Sequence, residues 1–70
     1  MDRTAVRSRE IALIGYDENT RVLEVTFRRG GVYRFKNVPA DMHHKLIHAE
    51  SIGTFFSGEI KGRYDYEKIS

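Results

Sequence analysis

The sequence predicts an α+β fold in which a three-stranded antiparallel β-meander is packed by one or two C-terminal helices. Three runs rich in β-branched and aromatic residues lie between residues 11 and 36, separated by turn-forming residues. Apolar residues then recur at helical spacing after Pro39. Because the chain has 70 residues and no Cys, these elements must share one modest core without disulfides.

The strands are predicted over residues 11–16, 22–28 and 32–36. The middle strand alternates most clearly and places Leu23, Val25 and Phe27 on the face that packs against the helices. The first two strands are joined by a four-residue loop of polar residues, 17–20, which suits a turn.

A second loop, Arg29-Gly30-Gly31, sets the register of the other hairpin. Three loop residues place Phe27 opposite Tyr33 on the inner face and Glu24 opposite Lys36 on the outer face. The apolar inner face then extends across all three strands. The outer face of the sheet keeps a second apolar set, comprising Ile11, Leu13, Val22 and Val32.

Pro39 marks the start of a helix, because its missing N–H is not needed in the first helical turn. This helix is predicted over residues 39–50, with a buried stripe of Met42, Leu46 and Ala49. Ser51 is the predicted N-cap of a short second helix that extends to residue 60.

The two chain ends carry weaker patterns. Residues 1–8 are predicted to be a flexible N-terminal arm, and residues 9–70 are predicted to be a single domain. Residues 63–67 alternate and are predicted to be extended. Tyr64 and Tyr66 in this tail are the best candidates for exposed rings.

Four short motifs follow one another between residues 9 and 67: Ile14-Gly15-Tyr16-Asp17, Leu23-x-Val25-x-Phe27, Gly31-x-Tyr33-x-Phe35-x-x-Val38-Pro39 and Ser51-x-Gly53-x-Phe55-Phe56. In this combination they resemble the KTSC domain family, named for its occurrence at the C terminus of some lysyl-tRNA synthetases. The family also occurs as free-standing bacterial and phage proteins. The synthetase association implies RNA binding. The family's central Tyr-x-Tyr is Tyr33-x-Phe35 here, so the second ring lacks a hydroxyl.

The composition limits the classes of protein to which this chain can belong. A formal net charge of +2 with 31% charged residues describes a mildly basic globular chain. No apolar run is long enough for an export signal or a membrane span. Because the absence of Cys suits a reducing compartment, we expect a cytoplasmic protein.

No set of residues assembles an acid, a base and a pocket, so we expect neither an enzyme nor a cofactor. His44 and His48, with Asp41, have the spacing of metal ligands on one helix face. Lys45 stands where the zinc helix motif needs its glutamate, which favours a solvated helix face and no metal. Gly30-Gly31 precedes a strand, which favours a hairpin turn over a phosphate loop.

Eight of the twelve basic residues are Arg, and several surround the second hairpin. Guanidinium groups pair with phosphate, which makes RNA the favoured partner. The predicted nucleic-acid-binding residues are Arg28, Arg29, Arg34, Lys36, Arg63 and Tyr64, with Arg7, Arg9 and Lys61 as an extension of the patch.

The sequence also supports two other interpretations. The hairpin charges fit a solvated sheet face neutralised by Glu24 and nearby acids, and the rings of Phe27, Tyr33 and Phe35 fit core packing. The alternative function is a protein–protein interaction or self-association module, with a protein partner or a homodimer on the apolar outer face.

Overall fold

A computed structural model describes residues 1–70. The three predicted strands form the centre of a five-stranded antiparallel sheet whose strand order follows the chain. The strands are β1 (Arg3–Ala5), β2 (Ile11–Asp17), β3 (Val22–Phe27), β4 (Val32–Phe35) and β5 (Tyr66–Lys68). The helices α1 (Ala40–Ile47) and α2 (Ile52–Glu59) lie between β4 and β5 in the chain. The α+β class is confirmed, and the sheet gains an edge strand on each side.

The two edge strands were not predicted as parts of the sheet. Arg3 pairs with Gly15 in an antiparallel ladder between β1 and β2, whereas residues 1–8 were expected to be a flexible arm. Tyr66 pairs with Phe35, which adds the end of the chain to β4. All three residues of β1 are exposed, so no alternation marks this strand in the sequence.

The hairpin between β3 and β4 has the predicted loop length but a register shifted by two residues. The loop consists of residues 28–30, closed by hydrogen bonds between the backbones of Phe27 and Gly31 (3.0 Å) and of Gly30 and Phe27 (3.0 Å). Val25 therefore pairs with Tyr33, which was expected to lie opposite Phe27. Because the shift is even, every side chain of this hairpin stays on its predicted face.

The same shift changes the partner of Glu24, which lies opposite Arg34 instead of Lys36.

The register of the first hairpin, between β2 and β3, is also shifted by two residues from the predicted one. Its four-residue loop spans 18–21 instead of 17–20, because Asp17 already pairs with Val22. The Asp17 carboxylate accepts a hydrogen bond from the Asn19 backbone N–H (2.9 Å), which stabilises this turn.

A β-bulge between Ile11 and Leu13 interrupts the pairing of β2 with β3. One extra residue reverses the alternation at that point, so Ile11 lies in the core with no exposed surface. Leu13 stays on the outer face and is half-buried. The prediction that Ile11 belongs to the outer apolar set is therefore wrong.

The core lies between the inner face of the sheet and the two helices. Pro39 is the N-cap of α1, and this helix ends three residues earlier than predicted. Ser51 is the N-cap of α2, as predicted, and its hydroxyl accepts a hydrogen bond from the Thr54 N–H (3.4 Å). Neither helix is long and apolar enough to cross a membrane. The buried core residues are Ile11, Ile14, Leu23, Val25, Phe35, Val38, Leu46, Ile52, Phe56 and Ile60.

Candidate functional site

A groove of about 630 Å³ opens on the inner side of β4 and β5, next to α2. Its lining combines aromatic rings with charged side chains. The rings are Phe27, Tyr33, Phe35, Phe56 and Tyr66, and the charged residues are Arg9, Glu10, Arg29 and Lys61. We call this surface the aromatic groove.

The five rings contact one another in a continuous network. Phe56 meets Phe35 edge-on, with ring centroids 5.4 Å apart, and meets Phe27 at 5.6 Å. Tyr66 lies 5.5 Å from Phe35 and 5.7 Å from Tyr33. Distances in this range are those of favourable aromatic pairs, so the rings hold one another in place before any ligand binds.

Exposure increases across the network from the core to the chain end. Phe35 and Phe56 are 4% exposed and belong to the core, whereas Phe27 and Tyr33 are half-buried at its border. Tyr66 is 58% exposed. The groove thus has a fixed floor and one ring that is open to solvent.

Two of the predicted binding residues form long-range hydrogen bonds that join separate segments of the protein. The Arg28 guanidinium donates hydrogen bonds to the carbonyl oxygens of Ser8 (2.6 Å) and Val6 (3.2 Å), which ties the hairpin loop to the segment before β2. Arg34 Nε donates to the Glu24 carboxylate at 3.0 Å on the outer face. These two arginines hold the fold together.

The other predicted residues are dispersed. Arg29 lies on the rim of the aromatic groove. Lys36 is exposed beyond the end of β4, and Arg63 donates to the carbonyl oxygen of Gly58 at 3.2 Å. Tyr64 is half-buried against the core. The structure therefore brings Arg29 together with Arg9 and Lys61 at the groove, and it separates them from the outer-face cations.

Glu24 is only 1% exposed, although it points to the sheet face that carries no helix. Arg3 and Arg34 bond to its two carboxylate oxygens. Burial by itself raises the pKa of Glu24, but the hydrogen bonds and charges of the two arginines outweigh it, so the pKa lies below its ordinary value of 4.5. Gly15 beside it lies under Met1, whose sulfur is 3.0 Å from where a Cβ would stand.

The histidines lie on α1, apart from the groove. His43 stacks on Tyr16 with ring centroids 4.6 Å apart. Burial lowers the pKa of His43, and the neighbouring His44 lowers it further. His44 and His48 are adjacent, with centroids 4.2 Å apart, but no three His, Asp or Glu side chains converge as a metal site.

Comparison with known proteins agrees with the motif pattern. The model of the KTSC domain matches residues 7–64. The crystal structure of a KTSC domain protein from Yersinia pestis superposes with a TM-score of 0.96 at 42% identity, covering 99% of this chain and 97% of that one. A protein of Stutzerimonas stutzeri is 36% identical over 99% of each chain. A lysine–tRNA ligase of Trichormus variabilis is 36% identical over 79% of this chain, which spans 10% of that enzyme.

Proposed function

The chain belongs to the KTSC domain family, and we propose that it is a small non-catalytic module that binds single-stranded RNA in the aromatic groove. The observation that carries this proposal is the exposed ring of Tyr66, which lies against Tyr33 and Phe35 within a groove bordered by three cations. The reducing cytoplasm is the compartment that we propose for a chain without Cys.

Tyr66 supplies the contact with a base. Unpaired bases stack on exposed aromatic rings, and each such contact contributes about 1–3 kcal/mol to binding. The more buried rings below Tyr66 keep it in one position, which lowers the entropic cost of stacking. A base in a duplex is already stacked and paired, so the groove favours single strands.

The rim supplies the contacts with the backbone. Arg9, Arg29 and Lys61 are exposed and carry three positive charges, against one negative charge from Glu10. None of the three cations forms an ion pair within the protein. They are therefore free to contact phosphates on both sides of a stacked base.

The relatives point to the same class of ligand. The lysine–tRNA ligase of Trichormus variabilis includes a region similar to this chain. An enzyme of that name acts on an RNA, which supports RNA as the class of ligand for the related domain. The proposed binding surface is therefore the aromatic groove and not the whole hairpin. Of the predicted cations on the hairpin, Arg29 belongs to this surface.

Fluorescence anisotropy with a labelled single-stranded oligoribonucleotide tests the proposal. We expect salt-sensitive binding, with a slope of log K against log salt of about −2 if three cations contact phosphate. Tyr66→Ala should weaken binding about tenfold or more, whereas Tyr66→Phe, which keeps the ring, should bind like the wild type.

Matched cation variants locate the surface. Lys61→Ala should reduce the salt slope by about 0.7, and Lys45→Ala, on the exposed side of α1, should leave it unchanged. A duplex of the same sequence should bind more weakly than the single strand. A wild-type protein that binds no single strand, or binds it equally well without the Tyr66 ring, would overturn the proposal.

A further inference from the structure

We infer that the outer face of the sheet is a self-complementary surface that pairs face to face with a second copy of this chain. The surface carries no helix, and the register of the five strands places its side chains in rows that run across the sheet. The surface is separate from the aromatic groove, which opens on the opposite face. The inference is therefore independent of the proposed RNA binding.

Three neighbouring rows make up this face. The central row is Arg3, Gly15, Glu24, Arg34 and Glu67. An apolar row on one side is Ala5, Leu13, Thr26, Val32 and Ile69, the last placed by a 2.8 Å hydrogen bond from its N–H to the Val32 carbonyl oxygen. The row on the other side contains Asp17 and Val22, and continuing the register by one residue adds Lys36 and Asp65, which are joined by a 2.8 Å hydrogen bond from the Lys36 N–H to the Asp65 carbonyl oxygen.

Two such sheets can stack about 10 Å apart with their strands nearly aligned, as in β-sandwiches. In a closed dimer the two copies are related by a two-fold axis. When this axis runs parallel to the strands along β3, β1 of one copy lies over β5 of the other and β2 lies over β4. Each row then faces itself in reverse order.

This arrangement pairs opposite charges at both charged rows. Arg3 of one copy faces Glu67 of the other, and Asp17 faces Lys36, so the symmetry creates four opposite-charge pairs. Glu67 and Lys36 are exposed, and the Arg3 side chain, whose Nε bonds to Glu24, is 47% exposed, so its terminal nitrogens can contact Glu67 of the other copy. When two copies of the face meet in this orientation, residues of opposite charge therefore lie opposite each other.

The apolar row is complementary in the same orientation. Leu13 of one copy faces Val32 of the other, and Ala5 faces Ile69. Leu13 and Val32 are half-buried and Ile69 is 41% exposed, so pairing removes further apolar surface from water. Glu24 meets its own copy at the centre, but its charge is already compensated by two arginines.

Sedimentation equilibrium of the full chain at high micromolar concentration tests the inference, and we expect a reversible dimer. Lys36→Glu and Asp17→Lys each turn two attractive contacts into repulsive ones, which should weaken self-association about tenfold. Mixing the two variants restores opposite charges at both positions, so the mixture should dimerise like the wild type. Lys45→Glu on α1 is the matched control and should not change association.

Asp17 also stabilises its turn, so thermal melting must first show that Asp17→Lys is folded. Leu13→Lys is a second variant that does not touch the turn, and it should abolish association because it places a cation opposite Val32. A monomeric wild type would overturn the inference. So would a mixture of the two charge variants that associates no better than either one alone.

Discussion

Glu24 and Val25 are neighbours on β3 and are equally withdrawn from water, at 1% and 0% exposure. Val25 points to the inner face and is covered by hydrocarbon from the helices and strands. Glu24 points to the outer face and is covered by Arg3, Arg34 and the adjacent strands. Burial of Val25 gains free energy by removing apolar surface from water, whereas burial of Glu24 must offset the desolvation of a carboxylate.

This difference separates the roles of the two faces. The inner face supplies most of the stability, and its residues depend on shape and volume. The outer face supplies a charge arrangement whose stability depends on ionisation and on both arginine partners. Substitutions on the two faces should therefore differ in size and in their response to pH.

The largest effect is expected on the inner face. Leu23→Ala should lower the free energy of unfolding by about 3–5 kcal/mol, because it leaves a cavity at a fully buried position. A domain of this size has about that much stability in total. Circular dichroism with urea titration should show the variant largely unfolded at room temperature. A cooperative transition near that of the wild type would contradict the assignment of the inner face.

A smaller effect is expected when one arginine is removed from the outer face. Arg34→Ala should cost about 1–3 kcal/mol, because it leaves one oxygen of the buried Glu24 carboxylate without its partner. Arg29→Ala is the matched control, since its side chain is exposed and forms no ion pair, and it should stay within about 0.5 kcal/mol. Equal urea midpoints for the two variants would show that Glu24 does not need Arg34.

Acid should affect the outer face selectively. The folded pKa of Glu24 is lowered from 4.5, so its stabilisation is complete above pH 4.5 and is lost as the pH falls through the folded value. The wild type should therefore lose more stability than Glu24→Gln between pH 7 and acid conditions. Urea midpoints of both proteins, measured from pH 7 to acid pH, check this prediction. Parallel curves for the two proteins would contradict the ion-pair account.

The smallest effect concerns the helix side of the molecule. The folded pKa of His43 is lowered from 6.5, so its contribution is complete above pH 6.5 and is lost as the pH falls through the folded value. Thermal melts should show a slight loss of stability on mild acidification that is absent from His43→Gln. The same loss in both proteins would assign it to another group.

Alternation predicted the faces of the strands but not their register. Leu23, Val25 and Phe35 lie inward as expected, because side-chain parity follows directly from the sequence. Parity leaves shifts of two residues undetermined, so the partner of Glu24 was assigned wrongly. The bulge that turns Ile11 inward has no composition signal, since neither Ala12 nor its neighbours are residues that demand one.

The sequence predicted several residues of the candidate site but not that they lie together. Arg29 was among the predicted residues, and Arg9 and Lys61 were placed in its extension, because basic residues are visible in any sequence. Their convergence with Tyr66 depends on the pairing of β4 with β5, which joins residues more than thirty positions apart. Local patterns carry no information on such pairings. The burial of Glu24 was missed for a similar reason, since part of its cover comes from Arg3 on β1, which was not predicted to join the sheet.

The order of the strands also has a consequence for the time course of folding. β1 to β4 pair with their neighbours along the chain, whereas the pairing of β5 with β4 must close a long loop that contains both helices. We therefore expect the pairing that positions Tyr66 to form late in folding. We expect the amides of β5 to exchange with deuterium earlier than those of β3, and bound ligand to slow that exchange by holding the last strand in place.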